Sequence, residues 1–318
     1  MKIGQLEAEN ENQLFKITKS ISGIVITLVQ NDVDAPEIRA GRSGAIGYLV
    51  DMVGSSTIQV VLQPKHGKNE FLIERMKLST VLQKVGSVDG TVSFEFEEVV
   101  FHSGVGTMTM RAYIPFSDEG RIPLDEDEEI QVTISNLPAE TAVTSMLYGV
   151  ESADLATDVI RMSFKSLPQG EKFKTFDVSD SEYVMLPLGM LTATTTLQIN
   201  YTNGESPIYL ADEFRALACQ SNEVLFSVGG LVVTGFADYA VFKVSDVESI
   251  EVRRDSTTAY DLFFIDSDYR PNMESAVRKN ERRFNISALK KGQRLLNRVP
   301  NLAENIKQRL INFSARRK

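Results

Sequence analysis

The sequence contains no tryptophan, one cysteine and two histidines among its 318 residues. A lone thiol, Cys219, excludes an intrachain disulfide, which fits folding in a reducing compartment. It stands in "FRALACQS" among apolar neighbours, where cysteine behaves as core rather than as a nucleophile. His66 in "PKHGK" and His102 in "FHSG" have no cysteine or second histidine at ligand spacing, so no zinc site is expected. Both read as loop or strand-end residues. The lack of tryptophan argues against a sugar-binding cleft. Long apolar runs are missing too. The opening "MKIGQLEAENENQLF" has no apolar stretch of the kind a secretory signal needs. The uncharged run from Tyr183 to Gly204 is broken by "PLG" and "TATTT", and "VLFSVGGLVVTGFA" is too short to span a bilayer. "GRSGA" lacks the G-x-S-x-G spacing, and "HGK" lacks the first glycine and the hydroxyl residue of a P-loop.

Charge is present, but unevenly. The formal net charge is −9. Residues 269–318 hold 14 basic and 3 acidic residues, a balance of +11, and the preceding 268 residues hold 20 basic and 40 acidic, a balance of −20. That division predicts a soluble, self-repelling body and a short segment drawn to an anionic surface.

Through the body, apolar residues alternate with polar ones. "STIQVVL" puts Ile58, Val60 and Leu62 on one face, and "TVSFEF" does the same with Val92, Phe94 and Phe96. "TMTMRAYI" aligns Met108, Met110, Ala112 and Ile114; "IQVTI", "TLQINY" and "YDLFF" repeat the pattern. A period of two marks strands with one buried face. Turn chemistry in "AGRSG", "VDG", "SDEG", "YTNGES" and "VGG" separates them. Regular strand–helix alternation is absent, so the expected class is all-β: two jelly-roll-like β-sandwich modules with a short helical C-terminal tail. Two body segments read as helical: "ERMKLSTVLQKVG", with Leu78, Val81, Leu82 and Val85 on a stripe, and "LADEFRALA", with Leu210, Phe214, Leu217 and Ala218. Similar strings follow each, pairing Leu72 with Leu210, Ala112 with Ala240 and Ile130 with Ile250. They predict a repeated module with a seam near "SNLPAETAVTSMLYG": 1–138 as the first module, 139–268 as the second and 269–318 as the tail. Two unrelated β domains sharing hairpin patterns are the alternative.

The tail contains the residues expected to bind a partner. Arg278, Lys279, Arg282, Arg283, Lys290 and Lys291 lead, followed by Arg294 and Arg298. In "PNLAENIKQRLINF", Asn301 is the expected N-cap with Glu304 three residues on. Leu302, Ile306, Leu310 and Phe313 form one apolar stripe, with Lys307, Arg309, Arg316, Arg317 and Lys318 as the accompanying cations. Such a helix lies on anionic lipids, neutralises nucleic-acid phosphates, or packs on an acidic protein surface. Its sparse aromatic content disfavours base stacking.

The remaining chemistry-bearing residues are carboxylates. "LDEDEEI", from Asp125 to Glu129, reads as a solvated loop, because neighbouring strand residues point to opposite faces. A calcium site at Asp125 and Asp127 is the alternative, and Asp32 and Asp34 in "NDVDAPE" offer a similar one.

The strings "TVSFEFEEVVF…MRAYIPFSD" and "EVLFSVGGLVV…DYAVFKVSD", with the tail from Arg278, carry a resemblance. The chain resembles the double jelly-roll major capsid proteins of tailless icosahedral bacteriophages with an internal membrane. That resemblance implies a structural protein rather than an enzyme: homotrimeric capsomers that tile a shell, located in the virion and assembled in the host cytoplasm. It also implies a terminal helix reaching inward to the membrane or to a neighbouring capsomer; nucleic acid and other virion proteins are further expected partners. Many members carry the inward segment at the N-terminus; here the cationic end is the C-terminus. The competing readings are a virion spike or β-rich attachment protein, and a carbohydrate hydrolase using an Asp/Glu pair. No cofactor is implied.

Overall fold

The computed structural model describes residues 1–7, 12–34, 52–64, 68–89, 92–98, 105–118, 120–124, 126–139, 145–156, 158–214, 223–228, 231–236, 239–255 and 257–269. Strands dominate them. The first half holds β1 (Lys2–Gln5), β2 (Gln13–Ile17), β3 (Gly23–Asp34), β4 (Thr57–Gln63) and β5 (Glu70–Lys77). Helix α1 (Leu78–Lys84) and a π-helical turn (Val85–Asp89) follow, then β6 (Val92–Glu98), β7 (Val105–Pro115), β8 (Glu129–Ser135) and β9 (Met146–Val150). The second half holds β10 (Asp158–Leu167), β11 (Phe173–Asp177), β12 (Tyr183–Pro187), β13 (Thr196–Tyr201) and β14 (Ile208–Leu210). After these come β15 (Glu223–Val228), β16 (Leu231–Phe236), β17 (Tyr239–Lys243), β18 (Val247–Arg253) and β19 (Tyr260–Tyr269).

Alternation does what the sequence predicts where one face meets a core. Ile58, Val60 and Leu62 on β4, Met108, Met110, Ala112 and Ile114 on β7, and Ile130, Val132 and Ile134 on β8 are all buried. Full burial of each such side chain contributes about 1.5–3 kcal/mol. The outward residues on β6, Ser93 and Glu95, are exposed, and Arg111 of β7 pairs with Glu95 at 2.5 Å.

The second half is a regular jelly roll. Setting aside the β15–β16 hairpin, its strands lie in the orders β10-β19-β12-β17 and β11-β18-β13-β14. First strand pairs with last, and second with last but one, which is the nesting of two Greek keys. The first half repeats that nesting: β2 pairs with β8, and β3 with β7. It departs after β4, which turns directly into β5 as an antiparallel hairpin before α1 returns the chain to the other sheet as β6. β9, beyond residue 138, pairs with β1 and β3 and so completes the first half's sheet.

By this nesting, β7 corresponds to β18 and β8 to β19. The string comparison had matched Ala112 with Ala240, but Ala112 lies on β7 and Ala240 on β17. Ile130 was matched with Ile250, but these lie on β8 and β18. The repeat exists in the topology, one strand out of step with the strings, because alternating strands of equal length look alike. The predicted helices also shift. "ERMK" extends β5, so α1 starts at Leu78, and its stripe of Leu78, Val81, Leu82 and Val85 is buried. Leu210 ends β14 and is 54% exposed; helix begins at Ala211 and buries Phe214, while Leu217 and Ala218 lie outside the described residues.

Candidate functional site

The predicted partner-binding residues, from Arg278 to Lys318, lie outside the described residues, as do Cys219, His66, His102 and Asp125. Asp127 is described: it adopts a left-handed conformation (φ 70°) in an exposed turn before β8. Glu129, at the start of β8, accepts from Gln131 and from Lys16 at 3.0 Å, and these bonds hold its carboxyl below the usual carboxylate range. Among the described residues, no three His, Cys, Asp or Glu side chains come together in a way that would hold a metal ion.

What the structure assembles instead is a seam between the two halves. One eight-stranded sheet runs β17-β12-β19-β10-β5-β4-β8-β2, so half of each sandwich belongs to the same sheet. The junction is a parallel contact of β10 with β5, at Met162 and Ile73. Side chains reinforce it. Arg161 reaches Glu70 at 3.3 Å, the Phe164 amide donates to Glu74 at 3.2 Å, and Thr80 on α1 shares a hydrogen bond of 3.0 Å with the Tyr239 hydroxyl.

Packing is the larger part of the seam. β19 is apolar on both faces from Leu262 to Ile265, and the faces go to different cores. Leu262 and Phe264 join a core whose described members all belong to the second half. Phe263 and Ile265 join the core of the first half, together with Val159, Met162, Met185 and Val241. Tyr239 meets Phe263 edge-on, with ring centroids 5.4 Å apart and planes at 88°, a favourable aromatic geometry.

The connection between the halves is also tied down. In the segment 151–156, Ser152 accepts from the Arg121 guanidinium at 2.8 Å, and Asp154 from the Arg121 amide at 2.9 Å. Ala156 donates back to Arg121 at 2.8 Å, and Ile160 donates to Phe116 at 2.8 Å. Gly120, at φ +82°, lies so close that an added Cβ would sit 2.7 Å from the Leu155 carbonyl carbon. Beside this stitch Asp158 is buried. Desolvation pushes its carboxyl above the usual range, against the pull of the Asp118 amide at 2.8 Å; the Asp118 carboxylate adds to the rise, and the Ser267 hydroxyl at 3.4 Å opposes it.

A second buried charge is structural. Arg254 donates to the carbonyls of Glu171 at 3.1 Å, Pro168 at 3.0 Å and Thr258, and its guanidinium lies over the Tyr260 ring. It closes the turns at one end of the second sandwich. Sequence reasoning passed over the seam entirely. Its one visible signal was the run "LFFI", four apolar residues in a row on a strand, which marks burial on both faces.

No family model matches the sequence, and no curated protein matches it. Solved structures do match. VP54 of PBCV-1, a crystal structure fitted into a cryo-EM reconstruction of the virophage Sputnik, has a TM-score of 0.45 and 9% identity, covering 84% of this chain and 91% of that one. The major capsid protein P2 of bacteriophage PM2 has a TM-score of 0.43 and 9% identity, covering 86% of this chain and 96% of that one. Oxalate decarboxylase OxdC of Bacillus subtilis has a TM-score of 0.20 and 5% identity, covering 86% and 77%. By its own strand order the chain is an all-β protein of two jelly-roll-like sandwiches.

Proposed function

We propose that this chain is a structural component of a virion: a major capsid protein whose copies trimerise and tile an icosahedral shell. The observation that carries the reading is the locked pair of sandwiches. Two lobes that share one sheet, with residues of the second packed into the core of the first, form a rigid block, and three such blocks around an axis present six lobes. That outline tiles in two dimensions without a second kind of subunit. In this reading the protein acts by assembly and is not an enzyme. This reading takes the 151–156 segment as the division between lobes, a boundary supported by the pairing of β9 with β3. Assembly in a host cytoplasm accords with the single thiol.

Residues 269–318, with their balance of +11, form the strip that contacts anionic lipid on the inner side of the shell or a neighbouring capsomer. Negative-stain images and sedimentation of the concentrated full chain are expected to show six-sided trimers or sheets. A monomer at every concentration overturns the assembly reading. For the tail, Lys307→Glu with Arg309→Glu in the full chain is expected to abolish co-sedimentation with phosphatidylserine vesicles while leaving the trimer intact. Unchanged vesicle binding removes the lipid contact from the proposal.

A further inference from the structure

At the seam, the strands of the second half part from β5 and α1 and leave a cavity of about 400 Å³. That volume lies within the range of sites for small organic ligands. Its wall is largely aromatic and aliphatic: Met76, Phe164, Pro187, Tyr239 and Phe263, with Tyr260 at one side. Phe164 is 37% exposed, its ring 6.3 Å from that of Phe263. Both tyrosine hydroxyls are already engaged, Tyr239 with Thr80 at 3.0 Å and Tyr260 with the Gly189 carbonyl at 2.9 Å. Their rings therefore contribute apolar surface.

The polar groups of the lining are lopsided in charge. Arg75 and Lys77 flank the buried Met76 on β5 and are exposed. Neither has an ion pair or hydrogen bond among the described residues. The one acid in the lining, Asp261, accepts from the Ser166 hydroxyl at 2.6 Å. Two cations with no ion pair among the described residues, beside an aromatic slot, select an anionic head on an apolar body.

We infer that this inter-module cavity binds a small amphipathic anion, with a carboxylate, phosphate or sulfonate head held by Arg75 and Lys77 and an apolar body lying against Phe164, Phe263 and Tyr239. The inference stands on the cavity alone and does not need the shell-building reading. The probe is anilinonaphthalene sulfonate, titrated into the full-length protein and followed by fluorescence. One saturable site per chain is expected, displaced by dodecyl phosphate below its micelle concentration. Arg75→Ala with Lys77→Ala is expected to weaken that site by about tenfold or more. Phe164→Ala is expected to reduce the fluorescence at saturation, and Arg75→Lys to retain binding. Both cations and Phe164 are surface residues, so an unchanged melting temperature certifies the fold of each variant. Dye emission from other surfaces, including the tail, persists in every variant and is subtracted with the double variant. Equal binding by wild type and double variant, or by the neutral dye lacking its sulfonate, overturns the assignment.

Discussion

The two halves of this molecule share a nesting of strands but differ in self-sufficiency. Among the described residues, the second sandwich closes its core with its own half's side chains, from Leu167 to Phe264. The first does not: its core takes in Val159, Met162, Met185, Val241, Phe263 and Ile265 from across the seam. An equal strand pattern therefore does not imply equal independence. The half with the helix and the β4–β5 hairpin is the one that leans on its neighbour.

The sharpest way to break this contrast is to compare Phe263→Ala with Phe176→Ala. Each removes a buried ring and costs about 3–5 kcal/mol. Phe263 belongs to the first-half core while standing on a second-half strand. Its loss is expected to split thermal unfolding into two calorimetric transitions. Phe176, at 6.0 Å from Phe264 inside the second core, is expected only to lower the melting temperature. Identical calorimetric profiles for both variants refute the asymmetry.

Gly120→Ala tests the stitch rather than the core. A side chain there meets both a positive φ and a 2.7 Å contact with Leu155, so a cost of about 1–3 kcal/mol is expected. Limited proteolysis should report faster cleavage within 151–156. If the cleavage rate is unaltered, the linker is not held in the way the hydrogen bonds describe.

The smallest effect concerns Asp158. Its carboxyl is raised, so the folded state favours the protonated form. The stability this confers is complete below the ordinary carboxylate pKa and is lost as the pH rises through the raised value. Asp158→Asn keeps an acceptor for the Asp118 amide and removes the buried charge. Relative to wild type, the variant is expected to gain stability as pH climbs from about 4 to 7. A constant difference in melting temperature between those pH values contradicts the burial argument.

Strands that show one face to a core were readable from sequence, as Ile58, Val60 and Leu62 on β4 illustrate. The apolar stripe of α1 was readable too, though not its start, since "ERMK" is taken by pairing with β4. "YDLFF" is readable as a strand but not as one with a single buried face, because two cores claim the two faces of β19. The seam was illegible for a related reason: the contact of Met162 with Ile73 joins residues distant in the chain and leaves no local motif. The acidic run reads as a solvated loop; of its described members, Glu126 and Asp127 occupy an exposed turn, while Glu129 opens β8. The cations that the sequence singled out all fell in the tail, whereas Arg75 and Lys77 looked like ordinary outward residues of a strand. Only the cavity behind them distinguishes them.

The shared ladder from β17 to β2 has a mechanical corollary. A chain whose lobes are rungs of one sheet, with a common oily filling at the joint, has no hinge to bend at. Any change of curvature in an array of such chains must be absorbed where copies abut, so variants that alter angle should map to outer surfaces and spare the interior joint.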